Sequence, residues 1–133
     1  MTKLKTKWSN KDCKKVAEIL RIEVPRGFGD TYTRFSNANV DEIIHLIDLG
    51  YADPEDAQNE SPNLGEMIEF MKDHPEIRAG GYVIFPPRDD MRVTVELLVY
   101  NGKINKSLKS ALKEFTKNAD ELQLDNKYFR AWW

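Results

Sequence analysis

The chain has few of the residues from which most redox and metal sites are built: one cysteine, Cys13, and two histidines, His45 and His74, among 133 residues. A single cysteine excludes an intramolecular disulfide and any zinc site that needs paired cysteines. Long apolar runs are also missing, since no stretch approaches the roughly 20 residues of a membrane-spanning helix. The lysines near the N-terminus are not followed by an apolar segment, so we expect no secretory signal, no membrane partner and a cytoplasmic location.

The overall composition is that of a globular protein, with 41% apolar and 32% charged residues. The length suits one compact domain spanning residues 1–133. The net charge of −2 is unevenly distributed, because residues 1–34 carry +5, residues 35–76 carry −10 and residues 77–133 carry +3. Such a segregated field can steer a partner of opposite charge or favour self-association.

The segment 80–101 predicts two strands joined at a charged tip. In its second half, apolar and polar residues alternate with the period of two that is typical of a half-buried strand. We therefore predict that four apolar residues share one buried face: Val93, Val95, Leu97 and Val99. Arg92, Thr94 and Glu96 are then expected on the opposite face.

Four further segments predict helices, at about 10–21, 39–49, 64–73 and 105–119, because their apolar residues recur with helical spacing. Ser9 with Asp12, and Asn39 with Glu42, have the spacing of capping boxes. Together these elements predict an α+β domain. A mostly antiparallel sheet of three or four strands, centred on a hairpin at about 82–100 with Tyr128 to Trp132 alongside, is packed by about four helices.

The candidate sites for chemistry are incomplete. Glu42 and His45 have the Glu-x-x-His spacing of di-iron bundles, but they face away from the apolar stripe and the motif occurs once. Gly27 and Gly29 are interpreted as turn glycines, because no complete phosphate-loop pattern surrounds them. Four charged residues lie at the hairpin tip: Arg88, Asp89, Asp90 and Arg92. They do not complete the site of a metal-dependent nuclease, because Leu98 occupies the position where that site needs a lysine. We predict no catalytic residues, no metal ligands and no cofactor.

Two surfaces have the character of a partner-binding site. The third helix turns three carboxylates outward, and the C-terminal strand is rich in aromatic residues that are common at interface cores. The predicted partner-binding residues are Glu66, Glu69, Asp73, Tyr128, Trp132 and Trp133. The sequence therefore predicts a small, non-catalytic, cytoplasmic protein-interaction or regulatory domain that binds an unknown protein partner or a second copy of itself.

The fourth helix supports an alternative function. Its apolar residues occupy one side, and four lysines form a strip on the other: Lys106, Lys109, Lys113 and Lys117. Such a strip can contact phosphates, so a nucleic-acid-associated role stays open as the alternative. Lysine strips and acidic helix faces are also common as plain solvated surfaces, and Trp132 or Trp133 can equally fill a core.

Overall fold

The computed structural model describes residues 3–25 and 32–133, so Gly27 and Gly29 lie outside the described residues. Four helices and five strands follow one another along the described chain. Their order is α1 (Asn10–Leu20), β1 (Tyr32–Ala38), α2 (Val40–Asp48), α3 (Leu64–Asp73), β2 (Arg78–Ile84), β3 (Arg92–Asn101), α4 (Lys106–Phe115), β4 (Glu121–Leu124) and β5 (Tyr128–Trp132).

The strands form one sheet with the order β1-β2-β3-β5-β4, in which each pair of neighbours is antiparallel. The predicted α+β class, the central hairpin and the position of β5 beside it are confirmed. The strand count is wrong by at least one, because β4 also joins the sheet at its edge. That strand is only four residues long, and its Leu122 is 47% exposed, so it lacks the alternation of burial by which sequence reasoning finds strands.

Two helix starts follow the predicted chemistry, because Ser9 with Asp12 and Asn39 with Glu42 form complete capping boxes. The third helix also begins with a complete capping box, between Asn63 and Glu66, which was not predicted. The fourth helix is capped by Asn105 but ends at Phe115, four residues before its predicted end. There the hydroxyl of Thr116 donates to the carbonyl of Leu112 at 2.7 Å, a local bond that competes with continuation of the helix.

The predicted single apolar face of β3 is wrong, because the strand contains a bulge. Gly80 pairs with Leu97 but Gly81 pairs with Val95, so Glu96 is an extra residue. Beyond it the alternation is inverted: Val93 and Val95 face the core together with Leu98, as their burial shows. Leu97 and Val99 lie on the opposite face and are half-buried.

The core lies between the helices and one face of the sheet. The four helices bury their apolar residues in one cluster with inward residues of β1, β2, β3 and β5, such as Phe35, Val83, Leu98 and Phe129. Cys13 belongs to this cluster. Within the described ranges, none of the helices has both the length and the apolar character needed to cross a membrane.

Candidate functional site

The most distinctive surface is the sheet face opposite the helices, which we call the outer face. Residues that pair directly across neighbouring strands point to the same side, so the register assigns this face. Its aromatic and charged members come from all five strands: Tyr32, Arg34, Arg78, Tyr82, Arg92, Glu121, Tyr128, Arg130 and Trp132. The bulge residue Glu96 joins them through its ion pair with Arg34. Tyr32 is 51% exposed, and the pairs Tyr32 with Ile84 and Arg34 with Tyr82 place β1 and β2 residues side by side.

One end of the outer face forms a shallow depression of about 290 Å³, which we call the Arg–Tyr pocket. Its lining consists of three arginines, two tyrosines and one isoleucine: Tyr32, Arg34, Tyr82, Ile84, Arg88 and Arg92. Ile84 is 4% exposed yet stands outside the main core cluster, so it forms an apolar floor on this side of the sheet. The pocket thus combines guanidinium donors with aromatic walls.

Asp90 organises two of these arginines. Arg88 donates to both carboxylate oxygens of Asp90 through Nε and Nη2, at 2.8 and 2.5 Å, and Arg92 donates to Oδ2 from Nη1 at 2.9 Å. The hydrogen bond from Arg92, with a further contribution from Arg88, lowers the pKa of Asp90. The Arg92 guanidinium also lies 5.8 Å from the Tyr82 ring centroid, within the range of a cation–π contact.

The loop between α2 and α3 borders the same end of the sheet. Asp56 lies on this loop, and burial raises the pKa of its carboxyl, while the positive charge of Arg92 and a hydrogen bond from Thr94 act in the opposite direction. Thr94 is fully buried although its register places it on the outer face. The loop therefore closes the side of the site where β3 has no neighbouring strand.

A second depression of about 200 Å³ lies at the bulge, and Arg34, Glu96, Leu97, Arg130 and Trp132 contribute to its lining. Arg34 donates to Glu96 at 3.2 Å, and Arg130 donates to Glu121 at the same distance. Gly80 pairs with Leu97 on this face, and a Cβ on it would lie 2.9 Å from Leu97 Cδ2.

The predicted partner-binding residues do not form one surface. Tyr128 and Trp132 lie on the outer face, where both are half-buried. Trp133 is 1% exposed and packs edge-on against Phe115, so it belongs to the core. Glu66, Glu69 and Asp73 are exposed on α3, in the helical layer on the other side of the sheet.

Several of the predicted charged residues already have partners. Glu66 accepts a hydrogen bond from the backbone of Asn63 at 3.0 Å and so completes the α3 capping box. Glu69 pairs with Lys72 at 3.1 Å, and Lys117 with Glu114 at 3.3 Å. These contacts give the charges structural or solvating roles that need no ligand.

The predicted lysine strip is only partly on α4, because the helix ends before Lys117, which lies in the turn that follows. Lys106, Lys113 and Lys117 are exposed, whereas Lys109 is half-buried. Phe115 of α4 stacks on Phe70 of α3 with 4.1 Å between ring centroids, so the two helices are neighbours. Glu66 and Lys117 line the same surface depression of about 400 Å³. The basic strip and the acidic face are therefore adjacent, which weakens the field of either toward a distant partner.

The candidate metal pair is engaged elsewhere. Glu42 accepts from the backbone of Asn39 at 2.9 Å in its capping box and forms an ion pair with Arg21, while His45 is exposed. No group of three or more His, Cys, Asp or Glu side chains within residues 3–25 and 32–133 is placed to hold a metal ion.

Comparison with known proteins gives no relative: no family model, no curated protein and no solved structure matches the chain. The functional interpretation therefore depends on the geometry of the described residues.

Sequence reasoning missed Tyr32, Arg34 and Tyr82 as site candidates. The spacing of Tyr32 and Arg34 places both on the same side of a strand. The sequence does not show which side of the sheet the helices cover. The bulge adds to the difficulty, because it moves Leu97 and Val99 to the side of Tyr82, where a strict period of two does not place them. The signal that could have identified this surface is the recurrence of arginine and aromatic residues on one face of several strands.

Proposed function

We propose that this chain is a non-catalytic protein-interaction domain that binds a partner protein on the outer face of its sheet. The observation that carries the proposal is the composition of that face. It combines Tyr32, Tyr82, Tyr128 and Trp132 with arginines from four strands. Tyrosine, tryptophan and arginine are the residue types enriched in the energetically dominant positions of protein interfaces.

Charge favours an acidic partner over a second copy of the chain. The strands place four arginines on this face, Arg34, Arg78, Arg92 and Arg130, against two glutamates, Glu96 and Glu121. Two such faces would repel each other if they docked face to face, whereas a partner with excess carboxylates would be attracted. Because arginines and glutamates are interleaved and paired, the face suits a protein of mixed charge better than a continuous row of phosphates.

The proposed location is the cytoplasm, which is compatible with a free thiol buried in the core. The nucleic-acid role through Lys106, Lys109, Lys113 and Lys117 remains the alternative. The neighbouring carboxylates of α3 count against it.

The proposal is tested with a partner isolated by affinity capture from the source cells and then purified. Its binding is measured by calorimetry against the unmodified chain and against an outer-face variant, Tyr128→Ser with Arg130→Ser. Both residues lie outside the Arg–Tyr pocket, and Trp132 is kept because it lies beside Leu97. We expect binding to weaken by at least about tenfold.

The matched control is Glu69→Lys with Asp73→Lys on α3, which leaves the capping residue Glu66 intact. We expect this control to bind like the unmodified chain. The opposite pattern, with loss in the control and none in the outer-face variant, would overturn the proposal in favour of a basic partner on the acidic helix. A partner that proves to be nucleic acid, lost on Lys109→Glu with Lys113→Glu, would establish the alternative.

A further inference from the structure

We infer that the Arg–Tyr pocket is the anchoring subsite of this surface, and that it takes the carboxylate side chain of a glutamate or aspartate from the partner. The inference rests on the proposed function and adds to it the chemical group that is recognised. Three guanidinium groups surround this depression, those of Arg34, Arg88 and Arg92.

The pocket contains guanidinium N–H groups that are not used in hydrogen bonds among the described residues. A guanidinium offers five N–H groups, and within the described residues the side chain of Arg88 donates only to Asp90, through Nε and Nη2. Arg92 is held on three sides, by Asp90, by the Thr94 hydroxyl at 3.2 Å and by the Tyr82 hydroxyl at 3.5 Å. Asp90 thus fixes the orientation of both arginines, and the remaining N–H groups of the Arg88 guanidinium can donate hydrogen bonds to a ligand.

The charges around the pocket favour a monoanion. Within the described part of the chain, the lining contains three guanidinium groups and no carboxylate. Outside the lining, Asp90 and Glu96 form ion pairs with these arginines, and the carboxyl of Asp56 lies close enough to Arg92 to feel its charge. A partner carboxylate brings a single negative charge and can bind a guanidinium in a bidentate manner. A phosphate dianion would bring a second negative charge beside these carboxylates, so it fits less well.

The aromatic walls and apolar floor of the pocket suit the methylene groups of a glutamate side chain. Tyr32 and Tyr82 stand beside the arginines, and Ile84 lies beneath them as an apolar floor. The methylene groups of a glutamate can pack against these rings while its carboxylate meets the guanidinium groups. Among the described residues, Tyr32 is exposed on the edge strand, where the main chain of a partner can cross the sheet.

The test uses an eight-residue oligo-glutamate peptide as the probe and an oligo-glutamine peptide of equal length as its neutral control. Backbone amide shifts of the isotope-labelled chain are followed during titration. We expect oligo-glutamate, and not oligo-glutamine, to shift amides in the segments 32–34, 82–84 and 88–92. Arg88→Gln is expected to weaken this binding by about fivefold or more.

Lys113→Gln on α4 is the matched control, since it removes the same charge from another surface, and it should leave the affinity within about twofold. Arg34→Gln gives a second, independent arm and should also weaken the binding. Arg88 pairs with a surface carboxylate, so its variant should keep the dispersed spectrum of the folded chain.

Three results would overturn the inference. The first is an absence of shifts at the pocket. The second is shifts near Arg130 and Trp132 with no effect of Arg88→Gln, which would move the anchor elsewhere on the outer face and leave the proposed function standing. The third is tighter binding of an eight-nucleotide oligouridine at the same amides, which would assign the pocket to nucleic acid.

Discussion

Asp12 joins a local motif to the tertiary structure. Its carboxylate accepts from the backbone of Ser9 at 2.8 Å within the capping box, and from the hydroxyl of Tyr51, far along the chain, at 2.5 Å. Lys5 adds an ion pair at 3.5 Å. The Tyr51 hydrogen bond, followed by the Ser9 backbone bond, lowers the pKa of Asp12 to about 2, while burial and Asp12 together raise the pKa of Tyr51 to about 12.

We expect Asp12→Asn to remove a pH-dependent part of the stability. The pKa of Asp12 is lowered in the folded chain, so its contribution is fully present above the ordinary value of 3.8 and is lost as the pH falls toward about 2. Because the carboxylate lies near the surface, solvent screening limits the effect to about 1 kcal/mol at neutral pH. Urea unfolding of both forms across this acid range should show the difference in unfolding free energy shrinking as the pH falls. A difference that stays constant down to the lowest pH would contradict this account.

Cys13 should react slowly in the folded chain. Burial, and then the negative charge of Asp12, raises the pKa of its thiol, and the side chain is only 7% exposed. The thiolate is the reactive form, so both its population and its access are reduced. Alkylation by iodoacetamide, followed by mass spectrometry, should be at least about a hundredfold slower in buffer than in urea. Comparable rates in the two solvents would show that the thiol is accessible in the native state.

At the scale of elements, the bulge in β3 depends on a glycine in β2. A Cβ on Gly81 would overlap the backbone oxygen of Thr94, a clash that no rotation of a side chain can relieve. On the neighbouring Gly80 a Cβ would meet the end of the Leu97 side chain at 2.9 Å, a group that can move, and the backbone oxygen of Phe35 at 3.1 Å, which would have to shift by a few tenths of an ångström. The two glycines are therefore under different constraints although they are adjacent in the sequence.

We expect Gly81→Ala to lower the unfolding free energy by more than about 3 kcal/mol, because the backbone of the two central strands must separate. The matched variant Gly80→Ala should cost less, about 1–2 kcal/mol, since Leu97 can change rotamer and the tight contact with the Phe35 backbone needs only a small shift of β1. Urea titrations followed by circular dichroism measure both values. Equal losses in the two variants would mean that the close approach of Gly81 to Thr94 does not limit stability.

The elements that could be predicted are those whose signals are local. Ser9 and Asn39 are identified as caps from their three-residue spacing to an acidic residue, and the apolar stripes of the helices follow from the helical period of the sequence. The bulge could not be predicted, since Gly81 acts through Thr94, a residue from another strand whose approach only the folded sheet creates. The same applies to the candidate site: Tyr32, Arg34 and Tyr82 come together through strand pairing, and no motif along the chain marks them.

At the scale of the whole molecule, both ends of the described chain are fastened to one core. Near the N-terminus, Trp8 packs edge-on against Tyr51 and Phe85, with ring centroids 5.3 and 6.1 Å apart. At the other end, Trp133 packs against Phe115. Both tryptophans belong to a single hydrophobic cluster to which all four helices contribute. Loss of that cluster should therefore expose both ends together.

We expect the chain to unfold in one cooperative transition that both ends report equally. Trp132→Phe removes the indole of the outer face, so that Trp8 and Trp133 remain as probes, and a further Trp8→Phe or Trp133→Phe change isolates one end. Fluorescence of each single-tryptophan variant, compared with circular dichroism of the same sample in urea, should give coincident midpoints. The slope should be about 1–3 kcal/mol per molar urea, as for other small domains. A Trp8 signal that changes at lower urea than the circular dichroism of the same variant would reveal an N-terminal segment that detaches on its own, and would contradict a single cooperative domain.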